Sequence, residues 1–255
     1  MTVTRAGQRT SGTGSSRKVL RLLMSFDESR PAATAEQLAK AAEVPLSTAY
    51  RYISLLREVG LLEEGPSNTY VVSVRALPLA RAALAAHPLA EKAMPILHAI
   101  TEACGETSLL LRRIQQNAVC VARSESPHPV RLSFDVGRAM PLHRGAAAKI
   151  LLSALNAEEL KRYFETLPTE DGTDHSALED ELAAIRTRGW SVSHGEVDQG
   201  IWAAAAPVAD GKKVVGALTA AGLAQNIDDD RRRQILEIVR TRAQELSAQA
   251  SRLRL

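Results

Sequence analysis

An α+β chain in two parts, a small helical head closed by a β-hairpin and then a larger mixed domain, is what this 255-residue sequence predicts. Three observations carry the prediction. Three short amphipathic helix patterns fall within the first sixty residues, two strand patterns flank a Gly-Pro-Ser-Asn turn directly after them, and helix and strand signals are mixed from about residue 88 onward.

The length fits either one large domain or two modest ones. Hydrophobic residues at 45% and charged residues at 24% are ordinary globular values, which excludes a disordered, collagen-like or disulfide-scaffold protein. The two cysteines, Cys104 and Cys120, are too few for a disulfide framework or a four-ligand zinc site and read as buried thiols of a reducing cytosol. No window approaches the ~18 consecutive apolar residues of a membrane helix. Even the run 201–209 is broken by Pro207, and the first sixteen residues lack the apolar core of a secretory signal. A soluble, cytoplasmic protein with a flexible basic tail over residues 1–15 is expected.

Residues 17–26 place Val19, Leu22, Leu23 and Phe26 at i, i+3, i+4, i+7, one face of a first helix. Thr34 with Gln37 reads as a capping box opening a second, whose buried face is Leu38, Ala41 and Ala42. Pro45 suits the start of a third, with Ala49, Tyr52, Ile53 and Leu56 inward and Gly60 as its stop. Strand, turn and strand over residues 61–72 complete a winged helix-turn-helix over residues 16–74. The turn between the second and third helices lacks the glycine often found there.

The outer face of the third helix carries Ser47, Tyr50, Arg51 and Ser54 at the same spacing, and none is acidic. A face that reads DNA needs small hydroxyls and a cation free of carboxylates. Arg51 is the natural bidentate partner of a guanine; Ser47 and Thr48 suit phosphate or base edges, and Tyr50 suits either of these or packing on a sugar. Charge agrees in direction. Residues 1–80 hold ten Lys and Arg against seven Asp and Glu, the remainder twenty-two of each, and Arg5, Arg9, Arg17, Lys18 and Arg21 are bunched. Arg17, Lys18 and the tail arginines would add salt-dependent affinity for phosphates.

A helix over residues 75–87 reads as a linker, and residues 88–255 as the second domain. There a helix runs over residues 89–104 with Pro95 inside, and strands at 107–113 and 118–123 turn at Gln116-Asn117. A helix at 146–155 is followed by a capping-box signal at Asn156 and Glu159 and a helix at 178–188. Strands at 190–193, 202–208 and 214–220 come next, the last two turning at Asp210-Gly211, and a long helix over 228–252 opens on three aspartates. The sheet is expected to be mostly antiparallel.

No catalytic constellation is visible. The six histidines, His87, His98, His128, His143, His175 and His194, include no pair at metal-ligand spacing, and Gly145 to Lys149 lacks the phosphate-loop form. No metal and no cofactor are expected.

In order and spacing these segments resemble the IclR family of bacterial transcription regulators. The residues that carry the likeness are Leu46-Ser47-Thr48-Ala49-Tyr50-Arg51, Gly60-Leu61-Leu62, Gly105-Glu106-Thr107, the stretch from Met140 to Lys149, Gly200 through Pro207-Val208, and Val215-Gly216-Ala217-Leu218. The resemblance implies a winged helix-turn-helix bound to double-stranded, palindromic operators, a GAF-like domain that holds a small-molecule effector, and homodimers or dimers of dimers, at the bacterial nucleoid when on DNA. Its effector pocket maps to Leu132 on the wall after the hairpin, His143 at the entrance, Ala146 and Ala147 at a helix start, and Ser193, Ile201, Ala203, Thr219 and Ala221 on the sheet. Trp202 stands where an arginine is common, and the family's cysteine and serines are replaced by Ala203, Thr219 and Ala221. A less polar pocket follows, suited to a larger or more apolar effector, an organic acid or another aromatic or aliphatic metabolite. An enzyme or sensor built on the second domain and a pure dimerisation module are the alternatives.

Overall fold

The computed structural model describes residues 12–26, 30–86, 88–128, 132, 134–167 and 172–253. The tail arginines Arg5 and Arg9, and His87, lie outside these. The chain separates into two compact units, residues 1–86 and 87–255.

In the first unit α1 (Gly14–Leu23), α2 (Ala35–Ala42) and α3 (Leu46–Glu58) close on a core of Leu22, Leu38, Ile53 and Leu56. α2 opens with the expected capping box: the Thr34 side chain accepts from the Gln37 N–H and the Gln37 side chain accepts from the Thr34 N–H. Pro45 is the residue just before α3, where its missing N–H costs nothing. The glycine absent from the turn is replaced by strain: Glu43 itself takes the left-handed conformation at φ 54°, worth about 1–2 kcal/mol for a residue with a Cβ. Arg21 of α1 meets its carboxylate at 2.9 Å.

The wing has one strand more than expected. β1 (Ala32–Ala33) joins the hairpin of β2 (Leu62–Glu64) and β3 (Tyr70–Val72) in the order β1-β3-β2, antiparallel throughout. Two residues are too short to show an alternation in sequence. After the wing a 3-10 turn at Val74–Ala76 leads into α4 (Leu77–Ala85).

The second unit is built on a six-stranded sheet. Its elements are α5 (Pro88–Cys104), β4 (Thr107–Ile114), β5 (Asn117–Ser124), β6 (Ala139–Pro141), α6 (Ala146–Ser153), α7 (Ala157–Thr166), α8 (His175–Arg188), β7 (Ser191–His194), β8 (Ile201–Asp210), β9 (Lys213–Leu223) and α9 (Asp229–Leu253). Strand order is β6-β5-β4-β9-β8-β7, and every neighbouring pair is antiparallel. The hairpin turns fall one residue away from expectation: Asn117 and Asp210 already pair with Ile114 and Lys213. Gln115 supplies the positive φ in the first turn and Gly211 in the second.

α5 and α9 pack on one face of this sheet with Leu97, Ile100, Trp202, Leu218, Ile235 and Leu246. α6, α7 and α8 pack on the other with Leu111, Leu142, Ile150, Leu152, Leu182 and Ala205. The predicted Asn156 capping box is present at the start of α7, and Gly189 ends α8 in the left-handed conformation. At the start of α9, Asp228 Oδ1 accepts from the Arg231 N–H at 2.8 Å, so Asp228 caps the helix, while Asp229 and Asp230 pair with Arg232 and Arg233 within its first turns. Cys104 and Cys120 are buried free thiols.

Candidate functional site

The first unit exposes the α3 face anticipated from spacing. Ala49, Ile53 and Leu56 are buried, which turns Ser47, Tyr50, Arg51 and Ser54 outward, with Thr48 half-buried at the first turn. The Arg51 guanidinium makes no ion pair among the described residues, whereas Arg57, one and a half turns on, is engaged by Glu64 of β2 at 2.8 Å. The cation nearer the helix start is thus available and the one near its end is spent on the wing. On α1, Lys18 is exposed, while Arg17 is half-buried and donates to Thr13 Oγ1 at 3.3 Å.

The second unit contains a cavity of about 510 Å³, mouth included, on the α6 face of the sheet. Alternation along the strands builds its floor: Leu109 and Leu111 of β4, Ile201 and Ala203 of β8, and Thr219 and Ala221 of β9 are each two residues apart and so point the same way. Leu132 and Phe134 form one wall, and Gly145 with the first residues of α6, Ala146 to Ala148, forms another with Ser193. Arg123 of β5 fixes the Leu132 wall by donating to the carbonyls of Phe134, at 2.8 Å, and Leu132, at 3.4 Å, and pairing with Asp135.

Polar groups are few and placed. Thr219 Oγ1 donates to the Ala204 carbonyl at 2.7 Å, so its lone pairs are what it can offer the cavity. The N–H groups of Ala146 and Ala147 have no acceptor within α6 because they belong to its first turn. The Gly145 N–H donates at 2.8 Å to Glu196 Oε2, and the other oxygen of Glu196 accepts from Lys149 Nζ at 2.7 Å. Lys149 also reaches Glu181 of α8 at 2.7 Å, and its side chain is 4% exposed. One buried cation thereby ties α6 to α8 and to the loop after β7.

Eight of the ten residues named for the pocket from sequence therefore meet at one cavity: Leu132, Ala146, Ala147, Ser193, Ile201, Ala203, Thr219 and Ala221. Two are elsewhere. Trp202 lies on the opposite face, 2% exposed among the α5 and α9 side chains, because neighbours along a strand face opposite ways. His143 is buried with its ring Nδ1 2.7 Å from Tyr163 Oη, and its N–H donates to the same oxygen at 3.1 Å. Glu196, Val197 and Asp198 of the mouth were not anticipated; the glycines at 195 and 200, both at positive φ, are the signal of a loop there. Among the described residues no cluster of metal-ligating side chains exists, and no helix is long and apolar enough to cross a membrane.

Fold and sites together define a helix-turn-helix protein that carries a second, cavity-bearing α+β domain. The chain belongs to the IclR family of bacterial transcriptional regulators. Residues 15–66 match the IclR helix-turn-helix domain, and residues 81–248 match the bacterial transcriptional regulator IclR C-terminal domain. It is similar to the HTH-type transcriptional regulator KipR of Bacillus subtilis, 27% identical over 86% of this chain and 90% of the relative, and to the transcriptional repressor IclR of Escherichia coli, 25% identical over 83% and 81%. An IclR homologue from Microbacterium hydrocarbonoxydans, solved in complex with 4-hydroxybenzoate, shares the fold at a TM-score of 0.76 and 24% identity, covering 92% of this chain and 98% of that one. These relatives bear the names of regulators, not of enzymes, and the expectation of a regulator stands.

Proposed function

We propose that this regulator reads a two-fold symmetric operator as a homodimer or dimer of dimers, and that a small aromatic or aliphatic organic acid in the α6 cavity sets its affinity for that operator. The carrying observation is the cavity: an apolar space in which the orphan N–H groups at the start of α6 offer the partial positive charge that a carboxylate needs. The 4-hydroxybenzoate held by the Microbacterium homologue supports an acid of this size.

On DNA, Arg51 pairs with a guanine in the major groove, Ser47, Thr48, Tyr50 and Ser54 contact base edges or backbone around it, and Arg17 and Lys18 contact phosphates. The head over residues 16–74 reads the site, residues 75–87 connect, and residues 88–255 sense. The effector binds one state of the dimer better and changes the separation of two recognition helices, which must match half-sites about one turn (~34 Å) or its multiples apart.

Selection from a random DNA pool followed by sequencing, with wild type and Arg51→Ala in parallel, tests the reading. A palindromic consensus for the wild type, relaxed at one position in the variant with a loss of about 1–3 kcal/mol, is the expected result. Enrichment that is absent or indifferent to salt would reject it. Equal acid affinity for free and operator-bound protein would reject the effector's control of binding.

A further inference from the structure

The mouth of the cavity is bordered by the loop over residues 195–200, which joins β7 to β8 and turns on Gly195 and Gly200, both at positive φ. Its base is pinned. The Gly195 N–H donates to the Ile201 carbonyl at 2.8 Å, and the Ala224 N–H donates to the Gly200 carbonyl at 2.8 Å. Its middle reaches across to α6, where a Cβ on Gly145 would fall 2.9 Å from Val197 Cγ2 and 3.0 Å from Met140 Cε. The bare Cα at 145 is what lets the loop come this close.

Glu196 is the charged tie between the two. One carboxylate oxygen accepts from the Gly145 N–H at 2.8 Å and the other from Lys149 Nζ at 2.7 Å. A carboxylate of the protein itself thus stands at the start of α6, beside the orphan N–H groups of Ala146 and Ala147. A second carboxylate arriving there meets a like charge, and the buried Lys149 is already shared between Glu181 and Glu196. Letting Glu196 go does not strand that cation, because Glu181 still accepts from Nζ at 2.7 Å.

We propose that Glu196 is a resident competitor for the effector site: an entering acid takes the start of α6, Glu196 releases Gly145 and Lys149, and the loop over 195–200 swings outward on its two glycines. The proposal rests on the reading of the cavity as an organic-acid site. It adds that acid binding opens the mouth loop, and that a neutral molecule of the same shape leaves it shut.

Benzoate and benzamide, alike in shape and different in charge, are the probes. Calorimetric titration is run on the full-length wild type, Glu196→Gln and Glu196→Ala, and amide hydrogen exchange over residues 196–200 is followed by mass spectrometry. The ratio of benzoate to benzamide affinity rises about tenfold in Glu196→Gln, which keeps the volume and loses the charge, and at least as far in Glu196→Ala. Saturating benzoate speeds exchange in the wild-type loop at least about tenfold, benzamide does not, and in Glu196→Ala the loop exchanges fast with no acid present. A ratio unchanged or lowered in Glu196→Gln overturns the competition. A raised ratio with loop exchange that benzoate leaves unchanged or slows overturns the displacement, since repulsion alone then accounts for the gain. Either result leaves the cavity as an acid site. If benzoate binds neither the wild type nor the variants, the acid reading falls and the latch with it.

Discussion

Helices cover both faces of the six-stranded sheet, yet the two faces are furnished differently. On the side of α5 and α9 the sheet presents Trp202, Val208, Leu218 and Leu110, and long side chains from both helices fill the interface. On the side of α6 it presents Ala205, Ala217, Ala203 and Ala221, and the small side chains leave the cavity open. The same two strands supply both. β8 and β9 place bulk at some even-numbered positions and alanine or threonine at 203, 219 and 221, so one face holds the domain together and the other is free to hold something else.

That contrast can be broken by substitution. The largest effect is expected of Trp202→Ala, which removes a side chain 2% exposed in the helix-packed face and should cost about 3–5 kcal/mol in chemical denaturation. A cost below about 1 kcal/mol would show the indole to be no part of a core. Lys149→Met takes the cation from between Glu181 and Glu196. About 2–3 kcal/mol is expected, short of the figure for a fully buried pair because both carboxylates are about one third exposed. An unchanged melting temperature would mean that the triad does not tie α6 to α8.

A neighbouring pair gives a sharper comparison. Ala204→Leu forces bulk into the filled face and should cost about 1–3 kcal/mol, whereas Ala203→Leu enters the cavity and should cost less than about 1 kcal/mol while abolishing the binding of the acid proposed above. Equal costs would mean that the cavity face is as tightly packed as the other.

The smallest effect is on pH dependence. Burial raises the Cys104 thiol and pushes the Cys120 thiol up to about 12. Folded thiols therefore keep their protons where unfolded ones, near 8.5, have lost them, so this contribution is whole below about pH 8.5 and lost as pH rises toward about 12. Denaturation midpoints should fall between about pH 8.5 and 10, and fall less in Cys120→Ala; an identical fall in that variant would acquit the thiol.

Much of the architecture was legible because it obeys local rules. The capping boxes at Thr34 and Asn156 and the left-handed stop at Gly189 are short-range chemistry, and they sit where the residues put them. β1 and β6 escaped notice because two or three residues carry no periodicity, and their pairing is decided by distant strands. The cavity floor was legible for the same reason that Trp202 was misplaced. A run of candidates at 201, 202 and 203 ignores the period of two that separates the outer pair from the middle residue. Glu196 and Lys149, 47 residues apart, are joined by tertiary structure alone.

The order of the strands also bears on how the molecule is made. At the centre of the sheet β4 lies against β9, with Leu109 opposite Thr219, some 110 residues apart in the chain. Closing so long a loop must be paid for before the pairing gives anything back, and it cannot begin until β9 has left the ribosome. The winged helix needs only contacts within its own span, as Ala32 opposite Val71 illustrates. During synthesis, then, every residue of the winged helix has left the ribosome long before β9 has, so the first unit is able to close before the second. A nascent or truncated chain that ends short of β9 would carry a finished DNA-reading head beside an unclosed sheet, exposing strand edges that invite aggregation.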